Sequence, residues 1–337
     1  MMSFKRWYLS ILAFIVFPLL ILGCSSSVKD EKVPNAAEDI KLNSGAVLKS
    51  EDGNYKVYNY DNGQYNLANT DNVILAYDKN SSSYICIQNE KPCVIHNGQR
   101  FSIKDEGYSE LKLSPEGGYI SYFVDDNGLK LKIFKTSDDN QVEIKSEVSI
   151  SGTLYDWYDS DTLVYYGVSN DGINGLFTYN IKEGQEKLLY KVKEGYLAYL
   201  KGTDDNVLFL QLTLDNNKQL MMIDKKTKDT KVLTNKIQEL SDIIVNKDKI
   251  YFTGKVLNNV NSLYEIKDNK TKRLVFDFPA KVDTKKGLAI DKNGSVLFVG
   301  SSGEDSSDEE IYAYSQDGSV SSISKKSVDY VFLNYRN

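Results

Sequence analysis

Histidine occurs once in these 337 residues, tryptophan twice, cysteine three times and proline five times. A lone histidine, His96, leaves no imidazole cluster for a metal, and any Ser-His-Asp or Cys-His arrangement would have to use it. It lies in His96-Asn97-Gly98, and Asn-Gly between hydrophobic runs is a two-residue hairpin turn, so His96 is read as a turn residue. Besides Cys24 near the N-terminus the only thiols are Cys86 and Cys93, and two thiols with one imidazole do not complete a four-ligand zinc site, so no metal ligand set is assigned. Surplus positive charge is also missing. Lys and Arg total 41 against 47 Asp and Glu, a formal charge of -6, which argues against a phosphate backbone and excludes nucleic acid as a partner. Long apolar runs are absent but for Trp7 to Leu22, about 16 residues broken by Ser10 and Pro18. A membrane-spanning helix needs roughly 20.

That single run has the proportions of a signal-peptide core, with Lys5 and Arg6 ahead of it. Its end, Leu20-Ile21-Leu22-Gly23-Cys24, resembles the bacterial lipobox. The resemblance implies that residues 1–23 are removed and that Cys24 carries a diacylglyceryl group as the new N-terminus. Two acyl chains are enough for stable attachment, where one binds only marginally. Residues 24–44 are polar, contain Pro34 and show no period, so they read as a tether of roughly 25 Å r.m.s. span. Loss of Lys5 and Arg6 takes the charge from -6 to -8, so the lipid anchor is expected to be the sole membrane attachment.

What is abundant is the β-strand. Aromatics make up 12% of the chain, with 24 Tyr, which suits an all-β protein. Aliphatic-aromatic strands open near Tyr119, Leu163, Val207, Ile250 and Val296, in steps of 44, 44, 43 and 46 residues. Partner strands open near Leu131, Leu176, Leu220, Leu263 and Ile311, in steps of 45, 44, 43 and 48. Two registers that keep step over five cycles predict a β-propeller of four-stranded antiparallel blades over residues 45–337. Residues 72–104 give a compressed further blade. Residues 45–68 give three strands, which Tyr330 to Tyr335 would complete, closing the ring and removing its exposed edges. The count is seven blades, with six the alternative.

The segment Leu113-Ser114-Pro115-Glu116-Gly117-Gly118-Tyr119-Ile120-Ser121-Tyr122 resembles the LSPDGKYIAY strand-turn-strand signature of TolB-like propellers, with Glu116 in place of the usual Asp. Other blades carry degraded forms of it. The resemblance implies a fold and carries no catalytic or binding residue with it. Propeller enzymes with recognisable residue sets are not matched. The three arginines beyond Arg6 (Arg100, Arg273, Arg336) come without an Asp box, Trp-rich blade motifs are missing, and no Gly-x-Ser-x-Gly hydrolase domain is present. The chain is therefore expected not to be an enzyme.

Cys86 and Cys93 flank a four-residue turn and face one another on adjacent strands, as a cross-strand disulfide or as two buried thiols. The loop Gly303 to Glu310 carries five carboxylates. Its spacing is not that of an EF-hand, so it reads as a solvated acidic turn, with calcium as the alternative. Tyr155, Trp157, Tyr158, Tyr196 and Tyr330 fall on expected inner strands. They are candidate ligand contacts, Trp157 foremost, unless they only wedge blades together. The function expected is a monomeric, lipid-anchored scaffold on the extracytoplasmic face, binding an envelope protein or peptide. A cell-wall glycan is the alternative ligand, and a carboxylate-based hydrolase the alternative class. Labelled fatty acid should incorporate into the wild type and not into Cys24→Ala, which should leave the membrane fraction. A variant that stays membrane-bound beside an unlabelled wild type would refute the anchor.

Overall fold

The computed structural model describes residues 40–138, 140–303 and 308–336. Cys24, the expected signal peptide and residues 304–307 of the acidic loop lie outside the described residues. Alternating Val, Ile, Leu and Tyr form strands because one face of each sheet must pack on the next, and Asp, Asn, Gly and Lys supply the turns. Strands β1 (Val47–Glu51), β2 (Asn54–Asp61) and β3 (Gln64–Leu67) begin the first blade. The second holds β4 (Val73–Asp78), β5 (Ser83–Gln88), β6 (Lys91–His96) and β7 (Gln99–Ser102). The third holds β8 (Ser109–Leu113), β9 (Tyr119–Asp125), β10 (Leu129–Lys135) and β11 (Asn140–Val142). In the fourth are β12 (Val148–Trp157), β13 (Thr162–Ser169), β14 (Asn174–Asn180) and β15 (Gln185–Lys191). The fifth is β16 (Tyr196–Gly202), β17 (Asn206–Leu212), β18 (Lys218–Asp224) and β19 (Thr230–Thr234). The sixth is β20 (Ile237–Asn246), β21 (Lys249–Val256), β22 (Asn261–Lys267) and β23 (Lys270–Arg273). The seventh has a broken inner edge, β24 (Lys281–Val282) and β25 (Leu288–Ile290), then β26 (Val296–Ser301), β27 (Glu310–Tyr314) and β28 (Val320–Ser322). The last residues form β29 (Tyr330–Phe332) and β30 (Asn334–Arg336).

Seven antiparallel meanders thus form a ring, as the repeat predicts, and β29 closes it by pairing antiparallel with β1 (Val47↔Phe332, Lys49↔Tyr330). The C-terminal strand differs from expectation in one respect. It does not stay in the shared blade, but breaks at Leu333 and continues as β30, parallel to β4 of the second blade (Asn334↔Ala76, Arg336↔Asp78). Leu333 is the pivot: its N–H donates to Ala46 O at 3.2 Å, and its side chain is buried with Leu42, Ile74 and Tyr77. The tail therefore clasps two blades. Ile40 and Leu42 are buried in the same cluster, so the packed domain starts earlier than residue 45, inside the segment expected to be tether. Apolar side chains explain the difference, since they gain by leaving water where a polar linker would not.

The cores lie between blades. Val164 and Leu176 of the fourth blade pack with Leu200, Phe209 and Met221 of the fifth, and Leu208 and Leu220 of the fifth pack with Ile243, Phe252 and Tyr264 of the sixth. Each such side chain contributes about 1.5–3 kcal/mol by its burial. The segment that resembles the TolB-like signature has a visible purpose. Ser114 Oγ accepts the Tyr119 N–H at 2.9 Å, and the Glu116 N–H donates to Asp78 Oδ2 of the neighbouring blade at 3.1 Å. Gly117 has φ 67°, and a Cβ there would sit 2.4 Å from Ser83 Cβ, so only glycine lets this turn lie against the second blade.

Removing Tyr330 to Asn337 should leave the Val47–Lys49 edge of β1 unpaired, lower the melting temperature and produce oligomers in size-exclusion chromatography. Removing only the last four residues should keep the monomer and cost a few degrees. A full truncation that is monomeric with unchanged melting would refute closure by β29.

Candidate functional site

The inner strands of the second to seventh blades are irregular, whereas β29 pairs with β1 without a slip. Pairing slips between Ile74 and Ala76 in β4, Ser109 and Lys112 in β8, Ile150 and Tyr155 in β12, and Leu197 and Tyr199 in β16. It slips twice in β20 and is interrupted between β24 and β25. A bulge re-aims the side chains beside it. Here the result is a central channel of about 580 Å³, lined by β8, β12, β16, β20, β25 and the C-terminal tail.

Charged side chains join one inner strand to the next. Lys112 donates to Tyr155 O at 2.6 Å and lies 3.8 Å from Asp156. Asp156, 6% exposed, accepts the Trp157 N–H through Oδ1 and the Gly202 N–H through Oδ2, each at 2.8 Å. Lys201 donates to Asp242 Oδ1 at 2.6 Å and to Ile243 O at 2.8 Å. Asp242 Oδ2 in turn accepts the Leu288 N–H at 3.0 Å. From the tail, Arg336 reaches Asp156 Oδ1 at 3.2 Å. Burial pushes the Asp156 carboxyl up, but Lys112, Arg336 and the two backbone N–H groups outweigh it and hold it below its ordinary value.

At the end of the channel where β12 and β16 finish, Lys225 donates to the carbonyls of Tyr158 and Thr203. Burial, and then Arg336 nearby, push the Lys225 ammonium down to about 8. The Lys225 and Lys228 nitrogens lie 4.6 and 4.9 Å from the Tyr158 ring centroid.

The aromatic residues expected to bind ligand do not form one site. Trp157 is 0% exposed, stacked on Tyr119 at 5.9 Å between the third and fourth blades, so its proposed role as the leading ligand contact is corrected. Tyr155 is buried edge-on against Phe123 with its hydroxyl on Glu110 O, and Tyr330 is buried with its hydroxyl on Lys325 O. These rings wedge blades because an apolar face is worth more between sheets than along a wet channel. Tyr158 is half-buried at the channel mouth. Tyr196 is 55% exposed but opens β16, a strand length away, at the other end. Lys112, Asp156, Lys201, Asp242 and Arg336 were not singled out from sequence. The first four recur at close to the blade period, which was the available signal.

Cys86 and Cys93 stand opposite each other on β5 and β6, joined as a disulfide with Cα atoms 5.2 Å apart. His96 ends β6, its Nδ1 2.7 Å from Ser83 Oγ, which also meets Ser81 Oγ at 2.9 Å, and Ser81 Oγ donates to Asp78 Oδ1 at 2.8 Å. The residue types are those of a hydrolytic triad, but serines stand between the histidine and the carboxylate, and Ser83 is fully buried. In the acidic loop, Glu309 Oε2 accepts the Tyr330 N–H at 2.8 Å and Glu310 accepts from Ser322 and Tyr312. Among the described residues no cluster of three His, Cys, Asp or Glu is placed to hold a metal.

No family model matches the chain, and no curated protein matches it. Solved structures share its fold. The β-propeller domain of the Trilobed protease from Pyrococcus furiosus is 13% identical, with a TM-score of 0.53 over 86% of this chain and 97% of that one. Oligogalacturonate lyase from Vibrio parahaemolyticus is 12% identical, with a TM-score of 0.50 over 85% of each chain. TolB from Acinetobacter baumannii is 15% identical, with a TM-score of 0.46 over 70% of this chain and 63% of that one, too slight a likeness to add to the fold. The propeller that the TolB-like signature implied is present.

The expectation that this chain is not an enzyme does not stand, because the same fold occurs in a lyase and in part of a protease. Scarce histidine removed only chemistry that needs imidazole, whereas Lys, Tyr and carboxylates also move protons.

Asp156→Ala should cost about 3–5 kcal/mol, since it leaves Lys112 and Arg336 facing an uncompensated gap. The Asp156 acidity is strengthened in the folded state, so its contribution is complete above the unfolded value of about 4 and fades as pH falls through the folded one. Melting temperatures measured from acid to neutral pH should show a shallower acid limb for Asp156→Asn than for wild type. Parallel limbs would refute the assignment.

Proposed function

We propose that the chain is a lipid-anchored, extracytoplasmic binding scaffold of the cell envelope whose ligand is a polypeptide segment held in the central channel. The observation that carries this reading is the channel lining. Lys112, Lys201 and Arg336 alternate with Asp156 and Asp242, and Leu154, Leu200 and Ile243 stand among them. A polypeptide offers the same mixture of amide dipoles, both signs of charge and apolar side chains. The volume of about 580 Å³ lies within the range of ligand cavities, about 300–1,000 Å³. A glycan ligand would gain from a flat exposed ring, and burial of Trp157 removes the best one. In the channel the carboxylate-hydrolase reading is not supported by Asp156, which is acidified where a general acid needs the reverse. The carboxyl that burial does raise, Glu309, to about 7, lies outside the channel lining. The Leu20-to-Cys24 sequence supports the anchor, and the Cys86–Cys93 disulfide fits an oxidising compartment. A ring closed by its own tail supports a monomer.

Photo-crosslinking amino acids at Thr203, on the channel, and at Leu67, on an outer strand, test the reading in intact cells. A discrete protein adduct from Thr203, lost when Lys201→Glu is added and absent from Leu67, is the expected result. Equal adducts from both positions, or glycan in the Thr203 adduct, would overturn it.

A further inference from the structure

Twelve large apolar side chains are exposed among the described residues. Three sit within the outer strands β3, β15 and β19, and the other nine all fall at one end of the strands. Tyr196 opens β16 and Leu214 follows β17. Leu257 and Val260 occupy the β21–β22 loop, and Phe276 and Phe278 the β23–β24 connection. Antiparallel pairing fixes the common end, since Tyr196 pairs with Leu212 and Ile237 with Val256. The opposite face presents polar turns such as Asn62-Gly63, Asp204-Asp205 and Lys247-Asp248.

Charge singles out one arc of this end: most other links there are acidic, with Asp52, Asp71, Glu90, Asp126 and Asp171 among them. Segments 191–196, 213–218, 255–260 and 273–285, which carry the six named side chains, hold seven Lys or Arg and four Asp or Glu. That is a local charge of +3 on a chain of -6. A cavity of about 680 Å³ opens among them, lined by Val260, Phe276, Arg273, Lys281 and Lys285 with Asp277 and Asp283. Of the carboxylates in β27 and just before it, Asp308 is exposed, Glu309 accepts the Tyr330 N–H and Glu310 accepts from Ser322.

We propose that this arc of the face docks on an anionic phospholipid surface, with Phe276, Phe278, Leu257 and Val260 entering the interfacial layer and Lys281 and Lys285 meeting headgroup phosphates. The apolar side chains project singly from loops with polar residues between them, as in Leu257-Asn258-Asn259-Val260. A protein partner needs a continuous complementary patch of about 800 Å². A fluid headgroup layer accepts scattered insertions, and each lysine near an anionic leaflet adds about 1 kcal/mol. This contact is independent of the channel and adds to an acyl anchor, in contrast to the expectation from net charge that the anchor is the sole attachment, because the arc's local charge differs in sign from the chain's.

The test uses residues 36–337, a compact unit that holds the whole closed ring and lacks Cys24. It is sedimented with vesicles of phosphatidylglycerol and phosphatidylcholine, and with phosphatidylcholine alone. Binding should require phosphatidylglycerol and weaken with salt. Leu257→Ser with Val260→Ser, and separately Lys281→Glu with Lys285→Glu, should each weaken it about tenfold, while Leu67→Ser leaves it unchanged. Melting curves check that each variant is folded. Three results would overturn the proposal: no binding, equal binding to both vesicles, or folded variants that bind like wild type. If the same substitutions instead abolish self-association or capture of an envelope protein while vesicles are ignored, the face belongs to a protein.

Discussion

The structure depends on one pairing, that of β29 with β1. A blade is a small twisted sheet whose two faces are both apolar, and it can bury them only between two neighbours. In an open row the end blades would expose a face and an edge. Three N-terminal strands and one C-terminal strand make the seventh contact possible, so the stability of each inter-blade core is conditional on residues nearly 300 positions apart. The continuation into β30 makes the dependence stronger, because Asn334–Arg336 hold the second blade as Tyr330–Phe332 hold the first.

Closure also creates the channel and decides its chemistry. Inner strands converge on an axis where no further sheet can cover them, so their outward-facing groups stay near water while the backbone beside them is crowded. Bulges let Lys112, Asp156, Lys201 and Asp242 turn toward that axis, where each meets a group of the next blade. Asp156 bears the desolvation penalty of a buried charge and offsets it with two cations and two backbone N–H groups, while Lys201 and Asp242 stay partly exposed. Arg336 belongs to this set only because the tail crosses into the second blade.

The two ends of the disc have different surfaces for a simple reason. Turns at one end, such as Asn62-Gly63, Asp204-Asp205 and residues 225–229, are polar in sequence and expose no large apolar side chain among the described residues. Links such as residues 276–280 and 213–217 at the other end carry apolar residues that no core claims. Phe276 and Leu214 are exposed because the ring is already full.

Sequence alone determined the blade. Period-2 alternation and turn chemistry are local, and their recurrence every 43 to 48 residues was legible from Tyr119 through Ile311. It also placed Tyr330 opposite the N-terminal strands and Cys86 opposite Cys93, because hairpin register follows from loop length. What it did not determine is which way a side chain on an inner strand points. A single extra residue in a bulge reverses that direction, and the slips in β12 and β16 have no clear sequence mark. Trp157, with polar neighbours on either side, therefore looked wet and is fully buried, while Asp156 beside it became the hub of the channel. The break at Leu333 and the reach of Arg336 to the fourth blade were likewise decided by the tertiary structure, since they exist only once the first and last blades are side by side.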